Sequence, residues 1–106
     1  MSDRWIEVGD QRKFSEGLHV INLGKRRIVI ARLQGQLFAF DALCPHVQGP
    51  MECSEIDGLI VSCPLHAWRF DLSKGGKELH GYRDLETIEI KVVEEQVFLP
   101  ADAARA

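Results

Sequence analysis

The stretch Cys44-Pro45-His46, followed after sixteen residues by Cys63-Pro64-Leu65-His66, decides what this chain can be. Each segment carries one cysteine and one histidine, so the two segments together offer two thiolates and two imidazoles to a metal centre. Thiolate and imidazole ligands suit zinc or iron–sulfur clusters rather than magnesium or calcium. The sequence therefore predicts a metal site whose ligands are Cys44, His46, Cys63 and His66.

At the level of the residues, the same pattern is also compatible with purely structural side chains or with a structural zinc site. A lone histidine or a lone buried cysteine is commonly a structural residue, but here proline follows the cysteine in both segments and stiffens the backbone beside a candidate ligand. A structural zinc site uses the same ligand types, although such sites usually pair like with like, as C-x-x-C and H-x-x-x-H. The third cysteine, Cys53, lies between the segments and is expected to be an unpaired thiol.

The remainder of the chain predicts an all-β protein, because short apolar runs alternate with turn sequences. Gly24-Lys25-Arg26 and Gln34-Gly35-Gln36 are typical of turns between strands. The basic run Lys25-Arg26-Arg27 is expected to be a solvated hairpin tip. Helical periodicity is nearly absent, and the tail from Ala101 onward is too short for a stable helix, so we expect it to be frayed. We predict strands over residues 5–8, 18–23, 27–33, 37–40, 59–62, 67–72, 87–93 and 96–99.

A chain of 106 residues suffices for one small domain. We therefore expect a single domain over residues 1–106, in which residues 1–40 and 71–100 form a basal antiparallel β-sandwich or barrel. Residues 41–70 are expected to form a small metal-binding lobe inserted between its strands. Asp57-Gly58 is a strong hairpin signal, and a hairpin there brings the two ligand-bearing segments together.

Charge and composition restrict the partners and the compartment. The formal net charge of −3 argues against nucleic acid as a partner. No apolar run reaches the roughly 20 residues of a membrane span, and the first residues do not resemble a signal peptide, so no membrane partner is expected. Three cysteines, two of them predicted ligands, suit a reducing compartment, and we expect a cytoplasmic protein.

The segment that bears the predicted ligands is acidic. It holds a single basic residue, Arg69, against four acidic ones, Asp41, Glu52, Glu55 and Asp57. This imbalance favours a partner with a basic docking surface.

The run Cys44-Pro45-His46, together with Cys63-Pro64-Leu65-His66-Ala67-Trp68-Arg69-Phe70, resembles the motif pair of soluble Rieske-type [2Fe–2S] ferredoxins. In a Rieske centre two histidines replace two cysteines on one of the two irons. The resemblance implies the Rieske fold and one [2Fe–2S] cluster. It also implies that Cys44 and Cys63 bind one iron and that His46 and His66 bind the other. It is most specific over residues 41–71 and extends more loosely to the whole chain.

The chain departs at several positions from the high-potential Rieske proteins of respiratory and photosynthetic complexes. Those proteins join the two loops by a disulfide where this chain has Gly49 and Leu65, and they supply two hydroxyl donors where it has Trp68 and Phe70. Because hydrogen bonds to sulfur stabilise the reduced cluster, their absence predicts a low potential, roughly −150 mV. In many relatives a proline-containing loop shields the cluster, whereas the corresponding residues 80–83 contain no proline.

The resemblance implies a monomeric one-electron carrier rather than an enzyme. Its donor is then a flavin-containing NAD(P)H reductase, and its acceptor is a terminal oxygenase, either an aromatic-ring dioxygenase or a di-iron monooxygenase. An oxygenase itself also needs an iron held by two histidines and a carboxylate, and only His19 and His80 remain for that. The small subunit of an assimilatory nitrite reductase shares the fold in some cases but often lacks the ligands, which are complete here.

Overall fold

The computed structural model describes residues 4–45, 49–65 and 68–104. Across these ranges the chain forms β-strands and short 3₁₀ turns, which confirms the predicted all-β fold. No helix in the described ranges is long and apolar enough to cross a membrane. The strands are β1 (Trp5–Asp10), β2 (Gly17–Leu23), β3 (Arg26–Leu33), β4 (Gln36–Asp41), β5 (Glu55–Asp57), β6 (Ile60–Ser62), β7 (Arg69–Asp71), β8 (Lys77–Glu78), β9 (Thr87–Ile88), β10 (Lys91–Val93) and β11 (Gln96–Pro100).

The strands form three antiparallel sheets. The first, in the order β1-β11-β10, pairs the beginning of the described chain with its end, since Trp5 lies opposite Pro100. The second has the order β2-β3-β4-β9, and the third has the order β5-β6-β7-β8. The hairpin predicted at Asp57-Gly58 joins β5 to β6, and Gly58 has a φ of 63°, which glycine adopts without strain.

Strand β3 is buried on both faces. Ile28 and Ile30 pack on one side in a core that includes Val97 and Leu99 of β11, which we call the first core. The alternate residues of β3 pack on the other side in the second core. Its members are Val29, Ala31, Leu33, Phe40, Ala42, Cys44, Met51, Val61, Cys63, Phe70, Leu72 and Leu85. Since neighbouring side chains of a strand point to opposite faces, the second sheet lies between the other two.

The second core positions the predicted ligands. Val61 in β6 and Phe70 in β7 have no exposed surface and pack in the same cluster as the β3 side chains. Cys44 and Cys63 belong to that cluster too, and they follow β4 and β6 closely along the chain. The segment over residues 41–70 therefore shares its core with the second sheet.

The predicted single strand over residues 87–93 is broken into β9 and β10. Strand β9 pairs with β4, whereas β10 pairs with β11 in a different sheet. Ile88 and Ile90 still pack against the first core, but Val92 is 42% exposed. The apolar alternation continues through the break, so the sequence pattern did not reveal that the chain changes sheets.

The basic turn and the tail also differ from expectation. Arg26 is not solvated: its guanidinium lies 3.3 Å from the Asp41 carboxylate and 2.9 Å from that of Glu86, and its side chain is only 13% exposed. Its Nη1 donates to the carbonyl of Ala103 over 3.5 Å. Ala103 is itself buried in the first core, and Ala101 donates its N–H to the carbonyl of Arg4. The tail is therefore packed as far as Ala103.

We predict that Arg26→Gln lowers the apparent unfolding temperature by about 5–10 °C, because about 1–2 kcal/mol of charge-assisted hydrogen bonding is lost from a largely buried guanidinium. Differential scanning calorimetry measures this change. The control is Arg12→Gln, since Arg12 pairs with Asp10 on the surface and its side chain is 80% exposed. An equal loss in the two variants would contradict the structural role of Arg26.

Candidate metal centre

The first candidate ligand, Cys44, begins a tight loop over residues 44–49, here called the first loop. Its N–H donates to the carbonyl of Gly49 over 2.9 Å. Below the loop, the N–H of Met51 donates to the carbonyl of Ala42 over 2.8 Å. Ala42, Cys44 and Met51 have no exposed surface. The described ends of the first loop are thus joined by a backbone hydrogen bond above a stem that contains buried residues.

The second loop, residues 63–68, is closed in the same way. The N–H of Cys63 donates to the carbonyl of Trp68 over 3.0 Å, and the stem below it is the β6–β7 ladder, in which Ser62 lies opposite Arg69. In both loops the cysteine N–H bonds to the carbonyl five residues later. The two cysteines therefore occupy equivalent places in two hairpin tips.

The two loops are in contact at Gly49. A β-carbon at this position would lie 3.1 Å from Sγ of Cys63 and 3.1 Å from Cγ of Leu65. Such a separation is too short for comfortable packing, so glycine leaves the thiol of Cys63 its space. Positions 49 and 65, where the resemblance places a disulfide in high-potential proteins, do face each other here, but neither carries sulfur.

The residues of the two tips fit a two-iron, two-sulfur cluster. Cys44 is fully buried, Cys63 is 3% exposed, and neither is joined in a disulfide. Two buried thiols on facing loops are the soft donors that iron–sulfur clusters require. His46 and His66 lie outside the described residues, so their predicted role as ligands stays a prediction.

The predicted unpaired thiol, Cys53, is exposed. With Cys63, Leu65 and Arg69, it lines an open surface cavity of about 670 Å³ beside the second loop. Its side chain therefore has a solvent-facing position, and the cavity is not an enclosed site.

A third loop, residues 78–84, lies beside the other two; the resemblance pointed to residues 80–83, but the sequence did not show what holds them. It is organised by Glu78, whose side chain is fully buried. Oε1 accepts the backbone N–H of His80 over 2.7 Å and that of Tyr82 over 3.2 Å, while Oε2 lies 3.2 Å from Nδ1 of His80. The N–H of Glu78 in turn donates to the Asp84 carboxylate over 3.0 Å. One buried carboxylate thus fixes the course of the loop.

The ionisation of Glu78 is consistent with this role. Burial by itself raises the pKa of Glu78, but hydrogen bonds from Tyr82 and His80, with a contribution from the Arg69 backbone, outweigh burial and hold the pKa below its usual value. The carboxylate is therefore charged at neutral pH and accepts hydrogen bonds only.

The third loop contacts both ligand-bearing loops. The Tyr82 ring stacks on that of Trp68 in the second loop, with ring centres 5.3 Å apart and planes inclined by 24°. Nη1 of Arg83 donates to the carbonyl of Pro45 in the first loop over 3.3 Å. Together Pro45, Trp68, Tyr82 and Arg83 line one surface cavity, so the three loops meet at this place.

The acidic character of residues 41–70 is largely compensated within the chain. Three of the four carboxylates have arginine partners: Asp41 with Arg26, Glu52 with Arg27, and Asp57 with Arg69. The charge count along the sequence therefore overstates the negative field that a partner meets.

Sequence reasoning missed Glu78 and Tyr82 for different reasons. A lone glutamate in a polar, turn-rich segment gives no sign that it is buried. Tyr82 is 66% exposed, so no apolar periodicity identifies it. The one available signal was the absence of proline from residues 80–83, which indicated that some other device holds this loop.

Relatives and solved structures agree with this geometry. A ferredoxin component of the naphthalene 1,2-dioxygenase/salicylate 5-hydroxylase systems of Ralstonia sp is 28% identical over 101 residues, which span 93% of this chain and 97% of that protein. The ferredoxin component of the naphthalene 1,2-dioxygenase system of Pseudomonas aeruginosa is 32% identical over 77 residues, or 71% of this chain and 73% of that protein.

Among solved structures, the ferredoxin of carbazole 1,9a-dioxygenase from Nocardioides aromaticivorans IC177 superposes with a TM-score of 0.80 at 17% identity, covering 92% of this chain and 98% of that one. A chain in a complex of reduced oxygenase and oxidized ferredoxin in carbazole 1,9a-dioxygenase gives a TM-score of 0.79 at 21% identity, covering 92% of this chain and 93% of that one. At these identities the likeness establishes the fold.

The family model of the Rieske [2Fe-2S] domain matches residues 4–89, a range that contains both ligand-bearing loops and the third loop. The resemblance stated from the sequence is confirmed, and with it the single cluster as cofactor. This chain belongs to the Rieske [2Fe–2S] domain family.

Proposed function

We propose that this chain is a one-electron carrier that serves an oxygenase and is not itself an enzyme. The observation that carries the proposal is the pair of equivalent hairpin tips, which bury Cys44 and Cys63 in one core and face each other at Gly49. When bound, the cluster supplies a one-electron couple in which reduction adds one negative charge. A relative that matches along 97% of its own length is named a ferredoxin component, which supports a carrier.

In this proposal Cys44 and Cys63 hold one iron, and His46 and His66 hold the other. The spacing supports this division, because each loop supplies one cysteine and one histidine from a short segment. The backbone hydrogen bonds that close the loops fix the places of the two cysteines, and a site held in this way favours binding. The chain then forms one Rieske domain over residues 1–106, with the cluster held by residues 41–70 and the basal part made of 1–40 and 71–100.

The surroundings of the two tips support a low potential. Trp68 and Phe70 supply no hydroxyl to the cluster side of the second loop, and Phe70 is fully buried in the second core. Gly49 and Leu65 supply no disulfide. The missing hydroxyls remove hydrogen bonds that raise the potential in other members of the family, so the chain is suited to deliver electrons to an oxygenase.

The electron-transfer partners of the chain are inferred from the named relatives and from a solved complex. The acceptor is a terminal oxygenase, since the relatives are named components of dioxygenase systems and a similar fold occurs in a complex of oxygenase and ferredoxin. The donor is a flavin-containing NAD(P)H reductase. We infer a cytoplasmic location, because the exposed thiol of Cys53 suits a reducing compartment. That the chain is a monomer is implied by the family resemblance alone.

An oxygenase activity of the chain itself fits the structure poorly. The two histidines that remain for a second iron site lie on different elements. His19 sits in β2, where its Nε2 lies 2.7 Å from the Ser15 carbonyl and its ring packs on Phe14 of the first core. His80 lies in the third loop beside Glu78. Their contacts place them in different surroundings, which gives no support to a shared mononuclear iron.

The cluster assignment is tested with His66→Ala. The purified wild-type protein is expected to be red-brown and, when reduced, to give the EPR signal with low average g that is typical of Rieske centres, because imidazole replaces thiolate on one iron. We expect His66→Ala to lose this signal while circular dichroism still reports β-structure. Electron paramagnetic resonance and iron analysis measure the change.

The matched control is Cys53→Ser, which removes the exposed thiol outside the predicted ligand set and is expected to leave the EPR signal unchanged. A colourless wild-type protein that holds zinc would show a structural zinc site instead. A normal Rieske signal in His66→Ala would disprove the ligand assignment.

The second prediction concerns the midpoint potential. We expect a value near the low end of the Rieske range, roughly −150 mV, because no hydroxyl stabilises the charge added on reduction. Phe70→Tyr places a hydroxyl at the position of a family donor and is expected to raise the potential, whereas Phe70→Leu is not. Redox titration followed by visible circular dichroism measures both. A wild-type midpoint above zero would contradict the argument.

A further inference from the structure

The third loop contacts both of the other loops, one on each of two sides. Tyr82 covers the ring of Trp68, which ends the second loop, and Arg83 donates to Pro45, which follows Cys44 in the first loop. The residues contacted, Pro45 and Trp68, belong to the two loops that carry Cys44 and Cys63. A displacement of residues 78–84 would therefore uncover both tips on the same side.

The third loop has no apolar core of its own, and its conformation depends on Glu78. Tyr82, Arg83 and the neighbouring side chains are exposed, whereas Glu78 is fully buried and accepts hydrogen bonds from two backbone amides of the loop. Without the Glu78 carboxylate both amides would lose their acceptor, which would destabilise this conformation of the loop. The length of the glutamate side chain matters too, since one oxygen reaches the amides of residues 80 and 82 while the other lies beside the imidazole of His80.

We propose that Glu78 and Tyr82 are positioning residues for the cluster: Glu78 fixes residues 78–84 so that Tyr82 closes over Trp68 and Arg83 holds the first loop, which keeps water away from this side of the centre. The proposal rests on the family membership and on the ligands proposed above. In many relatives a proline-containing loop shields the cluster, and residues 80–83 contain no proline. In this chain the shielding would come from the buried carboxylate of Glu78 and the Trp68–Tyr82 ring pair.

The physical effect is on both the potential and the persistence of the cluster. Water stabilises the negative charge that reduction adds, so greater exposure raises the potential. Water and chelators also reach an exposed cluster more readily. Stacking of Tyr82 on Trp68 favours the position in which residues 78–84 lie against the second loop. Aromatic pairs of this geometry contribute measurably to the stability of such a contact.

The first experiment compares Tyr82→Ala with Tyr82→Phe in the cluster-containing protein. Tyr82→Phe keeps the ring and is expected to match the wild type. Tyr82→Ala is expected to raise the midpoint potential and to speed the loss of visible absorbance in the presence of a chelator by about two- to tenfold, the range that one aromatic pair allows. Because Tyr82 is 66% exposed, neither change threatens the fold.

The second experiment compares Glu78→Asp with Glu78→Gln. Aspartate keeps the charge but is too short to reach all three partners, so we expect it to speed cluster loss as Tyr82→Ala does. Combining Glu78→Asp with Tyr82→Ala should add little, because both act through one contact. The control is Glu16→Gln, since Glu16 also accepts a backbone N–H in a turn, that of Gln34, but outside the three loops. It is expected to change neither readout.

Two results would overturn the proposal. One is that Tyr82→Ala and Tyr82→Phe have the same potential and the same rate of cluster loss. The other is that Glu78→Asp behaves as the wild type while Glu78→Gln does not. That result would show that the charge of Glu78, and not the length of its side chain, controls the potential and the rate of cluster loss. Failure of the proposed function is distinguishable from either, because the wild-type protein would then show no Rieske EPR signal at all.

Discussion

The burial of β3 on both faces is the constraint on which the rest of the structure depends. A metal site shared by two loops requires that both loops start from the same rigid support. Cys44 follows β4, which pairs directly with β3, and Cys63 follows β6, which packs on the face of β3 that carries Val29 and Ala31. Since the two cysteines belong to that same core, their separation is set by close packing and not by loop flexibility.

Packing sets where the two cysteines lie, and the backbone hydrogen bonds that close each loop set how their thiols are oriented. Each loop is closed by the N–H of its cysteine, so the thiol is oriented by the hairpin in which it sits. Because Gly49 has no side chain, the first loop can approach the side chains of Cys63 and Leu65 in the second loop closely. A larger side chain at position 49 would act directly on a candidate ligand. The loops are thus preorganised in two stages, first within each hairpin and then between them, as binding sites built on rigid elements usually are.

The sequence predicted those features that depend on local pattern, and missed those that depend on burial of charge. The turns at Gln34-Gly35 and Asp57-Gly58 follow from turn chemistry, and strand β3 follows from the apolar run over residues 27–33. The break between β9 and β10 leaves no trace in the alternation of residues 87–93. Arg26 and Glu78 read as ordinary surface charges, because only the tertiary structure supplies the partners that make their burial tolerable.

The arginines that pair with the carboxylates of residues 41–70 reduce the effect of those carboxylates on the reduction potential. Residues 41–70 are acidic by count, and an acidic surrounding opposes reduction. Yet arginines pair with three of those carboxylates, and a further arginine, Arg83, lies against the first loop. Exposed charges are screened by salt within about 10 Å, whereas a hydrogen bond to sulfur acts in the protein interior with little screening. The missing hydroxyls at Trp68 and Phe70, together with the shielding proposed for Tyr82, therefore outweigh the surface charge in setting the potential.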